Sequence, residues 1–204
     1  MLNSSGFDLW ANEYDHDVAL RNSENRYPFA GYQDVLSSIY KRIGENGGRK
    51  VLDIGFGTAI LSKKLYDDGM EITGIDFSNE MIKTAREKMP EARLIQYDFS
   101  AGLPGELIDE KFDDIICTYA IHHLTDDEKI RFIHILQDHL KPNGEILLGD
   151  VIFASDADME KCKESSGEDW DKNEIYIVVD QLLKQFPQME FIKMSDCSGV
   201  CVIK

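Results

Sequence analysis

The sequence predicts an α/β protein: a seven-stranded, mostly parallel sheet with helices on both faces, an antiparallel C-terminal strand and an N-terminal helical lid. Three observations predict it. Between Lys50 and Phe153, short apolar runs alternate with amphipathic stretches of helix length, the pattern of parallel strands joined by crossover helices. The last two apolar runs, "MEFIKMS" and "GVCVIK", are separated only by Asp196–Ser198, which forces a hairpin and so an antiparallel pair. The first 48 residues carry apolar positions at helical rather than strand spacing.

Along the chain, "FDLWANEYDHDVAL" (7–20) and "GYQDVLSSIYKRI" (31–43) read as helices separated by Pro28, and "GENGG" (44–48) breaks the second. "KVLDI" is the first strand, and "AILSKKLYDDG" an amphipathic helix closed by Gly69. "EITGID" is the second strand. It leads into "SNEMIKTAREKM", a helix with Ser78 as N-cap that stops at Pro90. "ARLIQYD" and "FDDIICTYA" are the third and fourth strands. "TDDEKIRFIHILQDHL" is a helix in which Thr125, with Glu128 three residues on, forms a capping box. "KPNG" turns the chain into the fifth strand, "EILLGDVIF". The acidic stretch 154–173 reads as a surface loop or loose helix, and "EIYIVVDQLLKQF" (174–186) as a helix despite its β-branched residues. The division is thus a lid, 1–48, and one α/β domain, 49–204.

Composition narrows the partners. With 22 basic and 38 acidic residues the chain carries a net charge of −16, so nucleic acid or an anionic membrane would be repelled over most of the surface. A small molecule is the expected partner, and the chain is expected to be a monomer or homodimer. No apolar run approaches the roughly 20 residues of a membrane span. The four cysteines form no C-x-x-C pair, and the expectation is reduced thiols in a cytoplasmic protein. Cys197 and Cys201 lie four apart in an expected strand and so would share a face.

The chemistry concentrates in "VLDIGFGTAI" (51–60), which follows a strand and opens a helix. Gly55 and Gly57 there permit a tight turn and a close approach of backbone to a ligand. Two glycines alone do not separate an occupied loop from an empty turn. The dinucleotide pattern G-x-G-x-x-G would need glycine at position 60, which is Ile60, and this argues against NAD or FAD. Asp53, two residues before Gly55, would sit badly beside a pyrophosphate but suits a cationic ligand. Asp76 closes the second strand, 76 − 55 = 21 residues past the first glycine, the spacing of an acid that bonds ribose hydroxyls. Asp98 closes the third strand. Three carboxylates at consecutive strand ends line the edge where open α/β sheets bind ligands.

These segments resemble the class I S-adenosylmethionine-dependent methyltransferases. "VLDIGFGTAIL" is similar to the first motif of that family, D-x-G-x-G-x-G, with Ala59 in place of the third glycine. "GIDFSNEMI" resembles its ribose-binding segment, "YDF" its adenine-binding segment, and "LKPNGEILLGD" the turn into its fifth strand. The likeness spans roughly residues 50 to 204. "WANEYD" and "YAIHHLTDDEK" further resemble a group of small bacterial members, the YrrT-like proteins. The resemblance implies a Rossmann-like fold, S-adenosylmethionine as cofactor and methyl transfer to a small-molecule acceptor. Carried over, it puts Gly55 and Gly57 against the methionine part and Asp53 near the amino group through water. Asp76 falls on the ribose hydroxyls, Asp98 on the adenine amino group, and the Phe99 backbone on the ring. Phe77 and Met81 would pack on the adenine faces. Ala59 implies a slightly tighter loop.

Methyl transfer from a sulfonium is an in-line displacement for which the protein supplies alignment and a dry pocket. "CTYAIHHL" ends the fourth strand, so Tyr119 would line the methionine and methyl end and His122 would face the acceptor, with a pKa suited to taking a proton. His123 would point away if the chain stays extended. No metal is expected, because neighbouring histidines on a strand diverge and no H-x-x-x-H or C-x-x-C spacing adds ligands. From the lid, Tyr14 and Tyr32 are the candidate substrate contacts. The acidic loop after Phe153 would favour a neutral or cationic acceptor. Two rivals remain: a non-catalytic S-adenosylmethionine-binding sensor with a blocked acceptor pocket, and a nicotinamide-dependent oxidoreductase, against which Ile60 and Asp53 both speak.

Overall fold

The structure is a computed structural model that describes residues 26–204; Tyr14 and the expected helix over 7–20 lie outside the described residues. The described residues open with α1 (Tyr32–Asn46) and β1 (Lys50–Ile54), then alternate through α2 (Ile60–Asp67), β2 (Glu71–Asp76), α3 (Asn79–Lys88) and β3 (Arg93–Gln96). β4 (Phe112–Thr118), α4 (Asp126–Gln137), β5 (Leu140–Phe153) and α5 (Asp156–Ser166) follow. The chain closes with β6 (Ile177–Val178), α6 (Val179–Leu182), β7 (Glu190–Lys193) and β8 (Ser198–Ile203).

The sheet runs β3-β2-β1-β4-β5-β8-β7, with β6 paired to the end of β5. All pairs from β3 to β5 are parallel, and β8 runs antiparallel to both β5 and β7. Side chains alternate cleanly between two cores. Leu52, Ile54, Ile115, Cys117, Ile146 and Leu148 join α4 and α6 on one face. Val51, Ile116, Leu147 and Val151 join α1 and α2 on the other. This period of two is what buried strands require, and each buried Leu or Ile contributes roughly 1.5–3 kcal/mol. The expected caps are present: Ser78 Oγ accepts from Met81 N at 3.2 Å, and Thr125 and Glu128 exchange both bonds of the capping box.

Two expectations are corrected, and the alternatives left open for 154–173 resolve to a helix. Residues 174–186 are not one helix, because Ile177 and Val178 pair with Ile152 and Phe153 of β5 before the short α6 begins. β-Branched side chains fit a strand edge better than a helix, and β5 runs far enough past its other partners to offer that edge. β6 is thus an eighth strand. The acidic stretch 154–173 holds the helix α5, capped by Ser155, followed by a 3-10 turn at Gly167–Asp169. Cys197 lies in the bend before β8, so it packs on the α1 face while Cys201 packs on the other. No described helix is long and apolar enough to cross a membrane.

Candidate functional site

β1 and β4 are neighbours, but the chain leaves β1 toward β2 and leaves β4 toward β5. The two connections diverge, and a cleft opens between them at the carboxyl ends of the strands. A cavity of about 530 Å³ occupies that cleft.

The glycine loop forms one wall. Gly55 (φ +65°) and Gly57 (φ +53°) are both left-handed, a conformation that costs other residues about 1–2 kcal/mol. A Cβ on Gly55 would lie 2.6 Å from Cβ of Ala120, so the loop also needs glycine to pass the end of β4. Ala59 adopts φ +61° as well, and its buried methyl packs with Phe56 and Met81. Asp76 is clamped at the cavity wall by two backbone amides: Gly57 N donates to one carboxylate oxygen at 2.9 Å, Ser78 N to the other at 2.8 Å. Asp53 is fully buried at the cavity floor. One of its oxygens accepts from Ser62 Oγ, and the other has no partner. Burial pushes the Asp53 carboxyl up to about 7, against the lowering effect of Ser62.

The far wall is aromatic and acidic. β4 stops at Thr118 because Tyr119 takes φ +48°, and its ring packs against those of Phe29 and Tyr32 at 5.7 and 4.9 Å. A 3-10 turn then carries His122 and His123. The chain is therefore not extended there, and the two imidazoles, expected to diverge, lie 4.3 Å apart and both border the cavity. His122 Nδ1 bonds Asp150 at 2.8 Å, and its Nε2 faces Glu174 at 3.4 Å. Burial works to lower the His122 pKa, but the flanking Asp150 and Glu174 carboxylates outweigh it and hold it above the ordinary histidine value. His123, half-buried and beside the His122 charge, drops to about 4. Glu174 belongs to the segment between α5 and β6, which is pinned over the end of β4 by Ile175 N donating to the His122 carbonyl at 2.9 Å. Tyr176 OH donates to Glu174 at 2.6 Å, and Tyr176 in turn meets the hydroxyl of Tyr27.

Residues 51–144 match a family model described as a methyltransferase domain. An uncharacterised methyltransferase of Geobacillus sp. (strain WCH70) is 35% identical over 193 residues, covering 91% of this chain and 87% of the relative. One from Bacillus cereus (strain ATCC 14579) is 37% identical over 164 residues, covering 79% and 73%. The chain belongs to the S-adenosylmethionine-dependent methyltransferases. Its fold is shared with magnesium protoporphyrin IX methyltransferase from Synechocystis PCC 6803 with bound SAH, at a TM-score of 0.68 and 17% identity over 99% of this chain and 100% of that one. It is shared equally with a DhpI complex with SAM and HEP, at 0.69 and 17% over 98% and 94%.

The residues of this methyltransferase fit its cofactor. A buried carboxylate oxygen without a partner on Asp53 suits an ammonium group. The clamped Asp76 suits a vicinal diol, and a loop whose two glycines take left-handed angles and carry no side chain suits close backbone approach. Of the residues expected from sequence, the structure brings Asp53, Gly55, Gly57 and Asp76 to the cavity, and with them Phe77, Met81, Phe99, Tyr119, Tyr32 and His122. It does not bring Asp98: that side chain is exposed and accepts from Ser100 N at 3.0 Å, capping its own turn. Sequence reasoning missed Phe29, Asp150, Asp171, Asn173 and Glu174. Asp150 had a signal, a lone charge inside the apolar run of β5; Glu174, one acid among many, had none. Among the described residues no group of three His, Cys, Asp or Glu side chains is placed to hold a metal ion.

Proposed function

We propose that this methyltransferase acts on a small-molecule acceptor that enters the cavity at its His122 end, with residues 1–48 contributing the lid and α1 within them covering one face of the sheet. The observation that carries the reading is the cavity's extent. Beyond Asp53 and Asp76 it continues past Tyr119 to His122, Asp171, Asn173 and Glu174. A sensor with a blocked acceptor pocket would have side chains filling that end. Phe29 and Tyr32, from the lid segment, wall it.

S-adenosylmethionine bound in the cleft supplies a methyl group on a sulfonium, and the rest falls to this chain. Asp53 would meet the amino group, Asp76 the ribose hydroxyls, and Phe77, Met81 and Phe99 the adenine. Asp98, next to Phe99 in the chain, would reach the adenine amino group with the carboxylate oxygen that does not cap its turn. Tyr119 would line the methyl end with the other rings, which keep water out and favour positive charge. His122 would touch the acceptor side as a fixed group: both its nitrogens are turned to carboxylates, so it orients Glu174. Tyr14 is assigned to the acceptor from the lid.

Calorimetric titration with S-adenosylmethionine, its demethylated product and NAD, on wild type and Asp76→Ala, tests the assignment. Wild type is expected to bind the first two and not NAD, and Asp76→Ala to lose roughly 10- to 100-fold, as expected for hydrogen bonds to a charged acceptor. Equal binding by Asp76→Ala would remove the ribose assignment. A screen of metabolites for methyl acceptors with the wild-type enzyme then tests the small-molecule reading, which fails if only macromolecules are methylated.

A further inference from the structure

We infer that the acceptor is an amine, held as its cation by Glu174 with Asp171 beside it; this rests on the proposed entry of the acceptor at the His122 end. Four carboxylates, those of Asp53, Asp76, Asp171 and Glu174, line the cavity, and among the described residues no lysine or arginine does. The first two sit at the glycine loop, where the cofactor amino group and ribose engage them. The other two stand at the opposite end, on the segment between α5 and β6.

His122 does not neutralise that end. Its nearer carboxylate is Asp150, behind it at 2.8 Å, while Glu174 is the more distant partner at 3.4 Å. An imidazolium there balances Asp150 and leaves the charge of Glu174 over. Neither Glu174 nor Asp171 forms an ion pair with lysine or arginine among the described residues. Asp171 accepts instead from the backbone and side chain of Asn173, at 2.7 and 3.1 Å. Tyr176 OH donates to one oxygen of Glu174, so the carboxylate is fixed in place while remaining part of the cavity wall. A half-buried, positioned carboxylate of this kind binds an ammonium and repels a carboxylate or phosphate. The rings of Phe29, Tyr32 and Tyr119 at the same end add faces on which a cation rests favourably.

Transfer to such an acceptor balances without a further reagent. Glu174 takes one proton from the ammonium. The freed nitrogen lone pair forms the N–C bond to the methyl carbon while the C–S bond breaks with its electron pair left on sulfur. The products are a methylated ammonium and a neutral thioether.

Three probes that share one ring and differ only in the head group test this: phenethylamine, phenethyl alcohol and phenylacetate. Each is titrated by calorimetry into the enzyme saturated with S-adenosylhomocysteine. The amine is expected to bind at least ten-fold tighter than the other two. Glu174→Gln is expected to abolish that preference and Asp171→Asn to reduce it, with circular dichroism and cofactor titration as folding controls for both. Equal affinity for the three probes, preference for the acid or alcohol, no binding of any, or an amine preference that survives in folded Glu174→Gln would each overturn the inference. Failure to bind S-adenosylhomocysteine in the first place would instead strike the cofactor assignment, and methylation confined to macromolecules would strike the acceptor reading.

Discussion

Asp53 is where binding and stability pull in opposite directions, and replacing it by asparagine separates them. In the folded chain burial raises its carboxyl from 3.8 to about 7. Between those values the native state holds a proton that the unfolded chain has released, so stability falls as pH rises through that window. About three units at about 1.4 kcal/mol each give about 4 kcal/mol, complete by about pH 7. Asparagine is nearly isosteric, can still accept from Ser62, and does not titrate. Asp53→Asn should therefore gain on wild type as pH rises from 5 to 8, by up to about 3 kcal/mol. For a chain of this size that is about 5–10 °C in Tm. Thermal unfolding of both proteins at pH 5 and pH 8, without ligand and with S-adenosylmethionine, measures it. The variant should melt higher than wild type at pH 8 without ligand, yet gain less from the cofactor, because its amide offers no charge to the ammonium. A stability gap that stays constant between pH 5 and pH 8 would refute the burial argument, and an undiminished cofactor shift would refute the ammonium assignment.

Gly55→Ala adds a methyl 2.6 Å from Cβ of Ala120 at φ +65°. It should cost about 1–3 kcal/mol in urea unfolding and weaken S-adenosylmethionine at least ten-fold by calorimetry. Thr125→Ala removes one half of the capping box of α4. Its expected cost is about 1 kcal/mol, read as a lower urea midpoint with unchanged cofactor affinity.

The sequence made legible whatever depends on local order along the chain. Asp53 and Asp76 could be placed because strand ends and a fixed spacing bring them to one edge whatever surrounds them. The hairpin of β7 and β8 followed from a link too short to cross the sheet. Asp98 shared the same kind of position, but a strand-end acid can bond the amide two residues on, and here it does. The direction of His123 depended on the backbone at a single residue, the left-handed Tyr119 that ends β4 and starts a 3-10 turn. Glu174 was out of reach for a different reason. Its position is set by a backbone bond from Ile175 to His122 and by β6 joining β5, contacts between segments more than twenty residues apart in sequence. Residues 174–186 read as helical because apolar spacing reports burial, and only the free edge of β5 turned Ile177 and Val178 into a strand ahead of α6.

β5 pairs with β4 as far as Gly149 and with β8 as far as Val151, yet it continues to Phe153 and there takes β6 alongside. The chain leaves this strand at Phe153 and returns beside it at Ile177, so the intervening residues form a closed detour with neighbouring anchor points. Nothing in the glycine loop or in β2 passes through it. A detour of that kind can be exchanged as a cassette: a segment of different length and charge, joined at the same two places, would give the enzyme a new far wall while its grip on the cofactor stayed as it was.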